Sequence, residues 1–172
     1  MIALGLNDLL DYTEWERQEW HGYLREKGAQ VLDLSAGPHG DGRFQKVGEL
    51  VRHIFGGEKR YVERLSGQPL TDPASIPCDD IDALFQFGRQ SRQELRELAA
   101  RLSEPQWDVP NDYRILQYAV RATPKKIVFH VLLHEVRHWA QIATLLRLNG
   151  FVTGFHDFLV SPVLGGEFRP IQ

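Results

Sequence analysis

Three of the seven histidines lie in one short segment, as His130, His134 and His138. Residues four apart in an α-helix share a face, so His134 and His138 are expected to stack one turn apart. Apolar residues at the same spacing would turn both imidazoles toward the protein interior. No acidic residue accompanies them on that face, and two buried imidazoles are difficult to satisfy with hydrogen bonds alone. The pattern therefore predicts that His134 and His138 ligate one divalent metal ion.

His53 is the predicted third ligand, contributed by a different helix. It is the one histidine of the segment 46–65, and it borders the apolar stripe of that segment. Gly56 and Gly57 follow it, and two poor helix formers inside a helix suggest that another backbone or a ligand approaches closely there. Three protein ligands leave a coordination position open, which is typical of catalytic rather than structural zinc.

The other histidines and polar residues are weaker candidates. His130 lies one turn before His134 but drifts around the helix, so it is a secondary candidate ligand. His156 would at most border a site. Glu58 and Gln141 are the candidates for orienting a ligand or handling a proton, although Glu58 has an ordinary alternative as a solvated helix residue. The two remaining histidines are expected in a surface-like helix face and a Gly-rich loop: His21 and His39.

The residues 134–138 read HEVRH, which matches the zinc-protease motif H-E-x-x-H. In that interpretation Glu135 would be the general base, and an acid such as Glu167 would supply a third ligand. Two features count against it. Arg137 puts a charge inside the motif, and Thr144 stands where the extended motif requires a further histidine. The metalloprotease is therefore a minor alternative.

Four long amphipathic helices are predicted, each from apolar residues at three- and four-residue spacing. Their approximate bounds are 4–25, 46–65, 81–102 and 124–149. Thr123 is the expected N-cap of the last helix, with Pro124 at its first position and Gly150 as its stop. The segment 113–120 is ambiguous between helix and strand, and 151–172 is expected to be irregular. Four such stripes are most simply buried in an all-α four-helix bundle, one domain over 1–172, whose long connections permit crossovers.

Composition restricts the classes of protein. The chain has 172 residues and a net charge of −3, with 42% apolar and 25% charged residues, which is ordinary for a globular domain. No basic block is present to neutralise phosphates, so nucleic acid is not an expected partner. The sequence shows neither a signal peptide nor an apolar run of roughly 18 residues, which predicts a cytoplasmic protein without membrane contact. Cys78 is the only cysteine, and its acidic neighbours disfavour a reactive thiolate.

Three segments resemble the DinB/YfiT-like family of metal-binding helical bundles. They are LLDYTEW (9–15), similar to the first helix of the family, ELVRHIFGGEKRYVERL (49–65), similar to the second, and FHVLLHEVRHWAQIATLLRLNG (129–150), similar to the fourth. The resemblance implies an up-down-down-up bundle, commonly dimeric. Carried over residue by residue, it makes His53, His134 and His138 the metal triad.

One stretch departs from the family pattern. The final helix usually continues HHRGQ, whereas this chain reads RHWAQ, so Arg137 and Trp139 differ while Gln141 keeps its place. The triad is unaffected, but the substrate contacts of the neighbouring positions are expected to differ.

The resemblance also implies a chemistry. The ion would be zinc or nickel, with iron and cobalt as further candidates, and some members of the family use it to activate a low-molecular-weight thiol. The leading hypothesis is a homodimeric, metal-dependent enzyme acting on a small molecule, as a thiol-using S-transferase or isomerase or a related hydrolase. The alternatives are a non-catalytic dimeric bundle stapled by the metal and a bundle without metal. A coordination position open to solvent would favour the enzyme.

Overall fold

A computed structural model of the protein describes residues 4–37, 43–154, 156–165 and 168–169. Its elements, in chain order, are α1 (Leu6–Lys27), α2 (Val47–Leu65), α3 (Ile81–Arg101), α4 (Glu104–Trp107), β1 (Asn111–Ile115), β2 (Tyr118–Ala122) and α5 (Pro124–Leu148). Turns of 3-10 helix lie at Ala29–Asp33, Pro73–Ser75 and Phe158–Val160. Beyond α5 the described chain is otherwise irregular, as predicted. The predicted all-α fold class is confirmed.

The long helices begin and end where the local sequence predicts. The side chain of Thr123 precedes α5 and accepts a hydrogen bond from the backbone N–H three residues later. Asp80 caps α3 in the same way. Gly150 follows α5 with a φ of 82°, a left-handed conformation that favours glycine because it has no Cβ. Local capping therefore accounts for the helix bounds.

The four long helices run up-down-down-up. The main helix contacts join α1 with α3, α3 with α2, α2 with α5, and α5 with α1. In an antiparallel pair, residues near the start of one helix contact residues near the end of the other. In a parallel pair, the residue numbers at successive contacts increase in both helices. The antiparallel contacts are Glu14–Arg96 and His21–Asp82 (α1 with α3), and His53–His138 and Tyr61–His130 (α2 with α5). The parallel contacts are Phe55–Phe85 and Lys59–Glu94 (α2 with α3), and Arg17–Glu135 and Trp20–Trp139 (α1 with α5). The predicted topology, with crossover connections, is thus observed.

The core contains two apolar clusters, one toward each end of the bundle. The larger is built around Trp20, Phe55 and Trp139, and the smaller around Leu10 and Leu132. The two indole rings of the larger cluster stack with their centroids 5.4 Å apart. Within the described ranges, no helix combines the length and the apolarity needed to cross a bilayer. The apolar faces of the long helices pack against one another in the two clusters.

The ambiguous segment 113–120 belongs to an antiparallel hairpin rather than to a helix. Ile115 pairs with Tyr118 across a two-residue turn, in which Leu116 takes a φ of 54°. Most hairpin side chains are exposed or half-buried, so the sequence carries no buried stripe that would distinguish the two structures.

The two glycines after His53 have different neighbours. A Cβ at Gly56 would lie 2.8 Å from the Cδ1 atom of Ile76, so the side chain of Ile76 approaches closely there. A Cβ at Gly57 would lie 3.6 Å from the Cε1 atom of His134, which is an ordinary contact. The close approach predicted for these glycines is therefore made at Gly56 alone, and by a side chain rather than by a backbone or a ligand.

Candidate metal centre

His53 on α2, and His134 and His138 on α5, bring ring nitrogens together between the two helices. Their candidate ligand atoms all lie within 4.8 Å of one another. The Nε2 atom of His134 is 3.0 Å from the Nε2 atom of His53 and 3.0 Å from that of His138. Zinc–nitrogen bonds of about 2.0–2.1 Å would hold tetrahedral ligand atoms about 3.3 Å apart, which is close to this spacing. The described residues contain no other such group of three His, Cys, Asp or Glu side chains.

Gln141 orients one of the three histidines. Its Oε1 atom lies 2.9 Å from the Nδ1 atom of His138. An amide oxygen only accepts hydrogen bonds, so the Nδ1 atom carries the proton and the Nε2 atom presents its lone pair to the cluster. Hydrogen bonds of this kind set the tautomer of metal-binding histidines. Gln141 thus makes the contact expected of an orienting residue.

The environment of His134 favours a neutral imidazole. Burial, and then the neighbouring His138 and His53, lower the pKa of His134 to about 2. His138 is 1% exposed, and the other two rings are half-buried. Neutral imidazole is the form that binds metal ions, because the lone pair is then available. The cluster is therefore compatible with a bound divalent cation.

His53 and His134 line an open cleft between α2, α5 and the tip of the hairpin. The cleft has a volume of about 400 Å³, and its other lining residues include Phe44 and Tyr61. The Phe44 ring lies 4.6 Å from that of His53. A larger cleft of about 650 Å³ lies between α1 and α5, but none of the three clustered histidines lines it. The smaller cleft is therefore the one with access to the candidate ligands.

The other described histidines lie outside the cluster. His130 lines the same cleft, with its ring 5.6 Å from that of His134. His21 bonds a carboxylate of α3, and His156 stacks on an indole ring of α1 at a centroid distance of 4.1 Å. His39 lies outside the described residues.

A known protein family matches the chain. The sequence profile of the DinB family matches residues 3–162, nearly the whole chain. The chain belongs to the DinB family. No curated protein matches it. The resemblance inferred from three helical segments is thus confirmed, and a helical bundle is the fold expected of a DinB protein.

The core of this DinB bundle also contains a buried ion network, to which each long helix contributes one residue. Its members are Arg17, Glu58, Arg92 and Glu135, none more than 5% exposed. Glu58 accepts hydrogen bonds from Arg17 Nη2 at 3.1 Å and from Arg92 Nε at 3.0 Å. Glu135 accepts from Arg17 Nε at 2.5 Å and from Arg92 Nη2 at 2.7 Å. Two cations and two anions therefore neutralise each other without solvent.

This network corrects the expectation for Glu58. The sequence suggests a proton-handling residue or a solvated one, whereas the carboxylate is buried between two guanidinium groups. Burial acts to raise the pKa of Glu58, but the charges of Arg17 and Arg92 outweigh it and lower the pKa. The arginines thus favour the ionised form of Glu58, and its contacts are with them rather than with the histidines.

The same network bears on the protease interpretation. Glu135 holds the position of the general base in HEVRH, yet its carboxylate accepts hydrogen bonds from Arg17, Arg92 and the indole N–H of Trp139. A general base must reach the proton that it removes, beside the metal. One residue along a helix is a rotation of about 100°, which turns Glu135 away from the face that carries His134. The geometry disfavours a protease, and the suggested ligand Glu167 lies outside the described residues.

Two features of the DinB structure are absent from the sequence predictions. One is the ion network, although Glu58 falls one turn from both Ile54 and Val62 and so lies on an apolar stripe. The other is a pair of arginines in the cleft, Arg60 and Arg64. Their spacing from the histidine of the same helix places all three on one face, and this signal was available in the sequence.

Proposed function

We propose that this DinB protein is a divalent-metal-dependent enzyme that acts on a small molecule in the cleft lined by His53 and His134. The observation that carries the proposal is the convergence of three imidazoles beside an open cleft. In the part of the chain that the structure describes, no fourth His, Cys, Asp or Glu side chain joins them. Three-ligand sites keep a position for water or substrate, whereas structural zinc sites are closed by four ligands.

The residues of the cluster suit such an ion. His53, His134 and His138 would hold it, and zinc or nickel suits three imidazoles, with iron and cobalt as alternatives. The metal, when bound, lowers the pKa of a coordinated water or thiol and so makes a nucleophile available near neutral pH. Gln141 keeps the Nε2 lone pair of His138 available by accepting a hydrogen bond from the Nδ1–H group. The aromatic side chains of the cleft provide surface against which a substrate can pack.

The reaction that we propose is a transfer or isomerisation that uses a low-molecular-weight thiol, with hydrolysis as the related alternative. Thiolate sulfur is a favoured ligand of zinc. A volume of about 400 Å³ is within the range of small-molecule sites. Cys78 does not line the cleft, so a reacting sulfur atom would have to come from a second molecule.

Metal analysis of protein prepared without a histidine tag tests the site. We expect about one equivalent of metal in the parent protein and its loss in His53→Ala and His134→Ala. His130→Ala is the matched control, because His130 lies in the same cleft but outside the cluster. It should keep the metal. A parent protein without metal, even after incubation with zinc or nickel, would refute the proposal.

Cobalt substitution tests the use of a thiol separately from the presence of metal. The absorption spectrum of bound cobalt reports its ligands, so L-cysteine should add a sulfur-to-cobalt charge-transfer band. S-Methylcysteine, which has no ionisable thiol, should not. A spectrum that cysteine leaves unchanged would reject the thiol reaction and leave the hydrolase.

Chelation distinguishes the enzyme from a bundle that the metal merely staples. The two apolar clusters and the ion network join all four helices without a metal. We therefore expect the helical circular dichroism to persist in EDTA, whereas unfolding on chelation would favour the stapled bundle.

The homodimer stays a prediction, which sedimentation equilibrium would test.

A further inference from the structure

The cleft beside the histidines is lined by more cations than the overall charge of the chain would suggest. The net charge is −3, yet five arginines and only one acidic residue are among the described residues that line the cleft. That acid, Glu49, accepts a hydrogen bond from the backbone N–H of Gln45 at 2.7 Å and lies 3.8 Å from Arg52. The guanidinium groups of the lining therefore outnumber its carboxylates.

Arg60 and Arg64 stand out among these arginines. They lie one turn apart on α2, both half-buried, and the Nε atom of each is buried without a hydrogen-bond partner in the described residues. Arg64 donates from Nη1 to the backbone oxygen of Arg60 at 3.2 Å, and its guanidinium lies 5.4 Å from the centre of the Tyr61 ring. Burial, and then the charge of Arg60, lower the pKa of Arg64. Two positively charged guanidinium groups thus lie near each other in a partly desolvated part of the cleft.

The acid closest to them in sequence is already engaged. Glu63 accepts hydrogen bonds from the backbone N–H and the hydroxyl of Thr71, and it lies 3.6 Å from Lys59. Like charges one turn apart on a helix repel each other, so the arrangement of Arg60 and Arg64 costs stability. Binding sites are the usual places where proteins retain such a cost.

The positions of Arg60 and Arg64 on α2 are fixed relative to the candidate metal ligand His53. His53, Arg60 and Arg64 lie seven and four residues apart, which places them on one face of α2. At 1.5 Å per residue, the backbones of the two arginines lie about 10 Å and about 16 Å from that of His53 along the helix. Helical side chains lean toward the N-terminus of their helix, which is here the direction of His53. The guanidinium groups therefore incline toward the histidine cluster.

We propose that Arg60 and Arg64 bind an anionic group of the substrate, a carboxylate or a phosphate, and so direct the rest of that molecule toward the three histidines. A guanidinium forms two parallel hydrogen bonds with either group, and this geometry gives both affinity and orientation. The substrate is then a small organic acid or phosphate ester whose reacting atom lies one to two helical turns from its anionic group. The proposal rests on the proposed function for what happens at the histidines, but the binding of an anion does not require the metal.

Calorimetric titration of the metal-free protein tests the pair directly. The probes are inorganic phosphate and succinate, added in a buffer without either, after EDTA has removed any metal that could bind them. We expect at least one probe to bind saturably, and Arg60→Gln and Arg64→Gln each to weaken it about tenfold or more. Arg101→Gln is the control, because Arg101 is exposed at the end of α3 and outside the cleft. Stronger binding of phosphate or of succinate identifies which anion the pair prefers.

Two results of this titration would overturn the proposal. One is equal affinity in the parent protein and in both glutamine variants. The other is the absence of saturable binding to the parent below about 10 mM of either probe.

Thermal unfolding separates a binding role from a structural one. Without an anion, Arg64→Gln should unfold at the temperature of the parent or above it, because repulsion is relieved. Phosphate or succinate should raise the Tm of the parent more than that of the variant at the same concentration, since the variant binds the anion more weakly in the native state. A variant that unfolds well below the parent in the absence of anions would show a structural role and overturn the proposal.

Metal content keeps this proposal distinct from the function on which it rests. A parent protein that holds metal but binds neither probe would overturn the anion site alone. A parent protein that binds a probe at the arginine pair but takes up no metal would overturn the metal-dependent enzyme alone.

Discussion

Replacing Glu135 with glutamine tests whether this residue of the HEVRH motif is structural or catalytic. Its carboxylate accepts four hydrogen bonds, three from the guanidinium groups of Arg17 and Arg92 and one from the indole of Trp139. The residue is 1% exposed, so water cannot take the place of the lost contacts. Glutamine keeps the shape but loses the charge, and its amide nitrogen would face arginine donors.

We expect the substitution to lower the free energy of unfolding by about 3–5 kcal/mol, the cost of removing one partner from a buried ion pair. Two guanidinium charges would then share a single carboxylate, that of Glu58, with almost no access to solvent. The loss is a large part of the roughly 5–15 kcal/mol that stabilises a typical domain. For a chain of 172 residues, each kcal/mol shifts the Tm by about 3 °C, so the Tm should fall by about 10 °C or more.

Urea denaturation followed by circular dichroism measures this loss at a fixed metal concentration. Glu58→Gln is the matched control, because Glu58 belongs to the same network but lies outside the motif, and it should cost a similar amount. Folded protein of both variants should keep its metal. The reasoning would be refuted if Glu135→Gln cost less than about 1 kcal/mol while removing activity, since that result is expected of a catalytic base.

Three further changes have defined outcomes. Burial raises the pKa of Glu16 from 4.5 to about 8, so the unfolded chain releases this proton first as the pH rises, and the native state loses stability between those values. Glu16→Gln should therefore stabilise the protein by up to about 5 kcal/mol at pH 8 and by little at pH 4.5. Urea denaturation of variant and parent at the two pH values measures this, and a stability difference that does not change with pH would contradict the prediction. Gln141→Leu should weaken metal binding about 10- to 100-fold without abolishing it, as measured by competition with a chelator, because the histidine that it orients loses its acceptor. Gly48→Ala should cost about 1–3 kcal/mol, because a methyl group there would overlap a backbone carbonyl oxygen. Gly22 has open space around it, so Gly22→Ala should instead raise the free energy of unfolding by about 0.5–1 kcal/mol. Thermal unfolding measures both variants, and equal changes in their stability would exclude the steric explanation.

The helices and the three clustered histidines could be predicted because their determinants are local. Thr123 and Gly150 delimit α5, since the capping of a helix depends on residues within about one turn. The spacing of His134 and His138 places both on one face of any α-helix. His53 could be chosen because it is the one histidine of α2 and borders the apolar stripe of that helix, whereas His21 was expected on a surface-like helix face. Its meeting with the other two nevertheless depended on α2 and α5 being neighbours in the bundle, which the family resemblance implied and periodicity alone did not.

The tertiary structure alone decided which charged residues meet. Glu58 resembles a solvated helix residue in the sequence, because nothing near it in the chain shows that Arg17 and Arg92 approach from two other helices. The sequence already places Arg60 and Arg64 on the same face of α2 as His53, but only the tertiary structure shows that α5 and the hairpin enclose this face as a cleft. The physical reason is that secondary structure depends on neighbours in sequence. The protonation and partners of a buried side chain depend instead on charges within a few ångströms, which the topology brings together from distant parts of the chain.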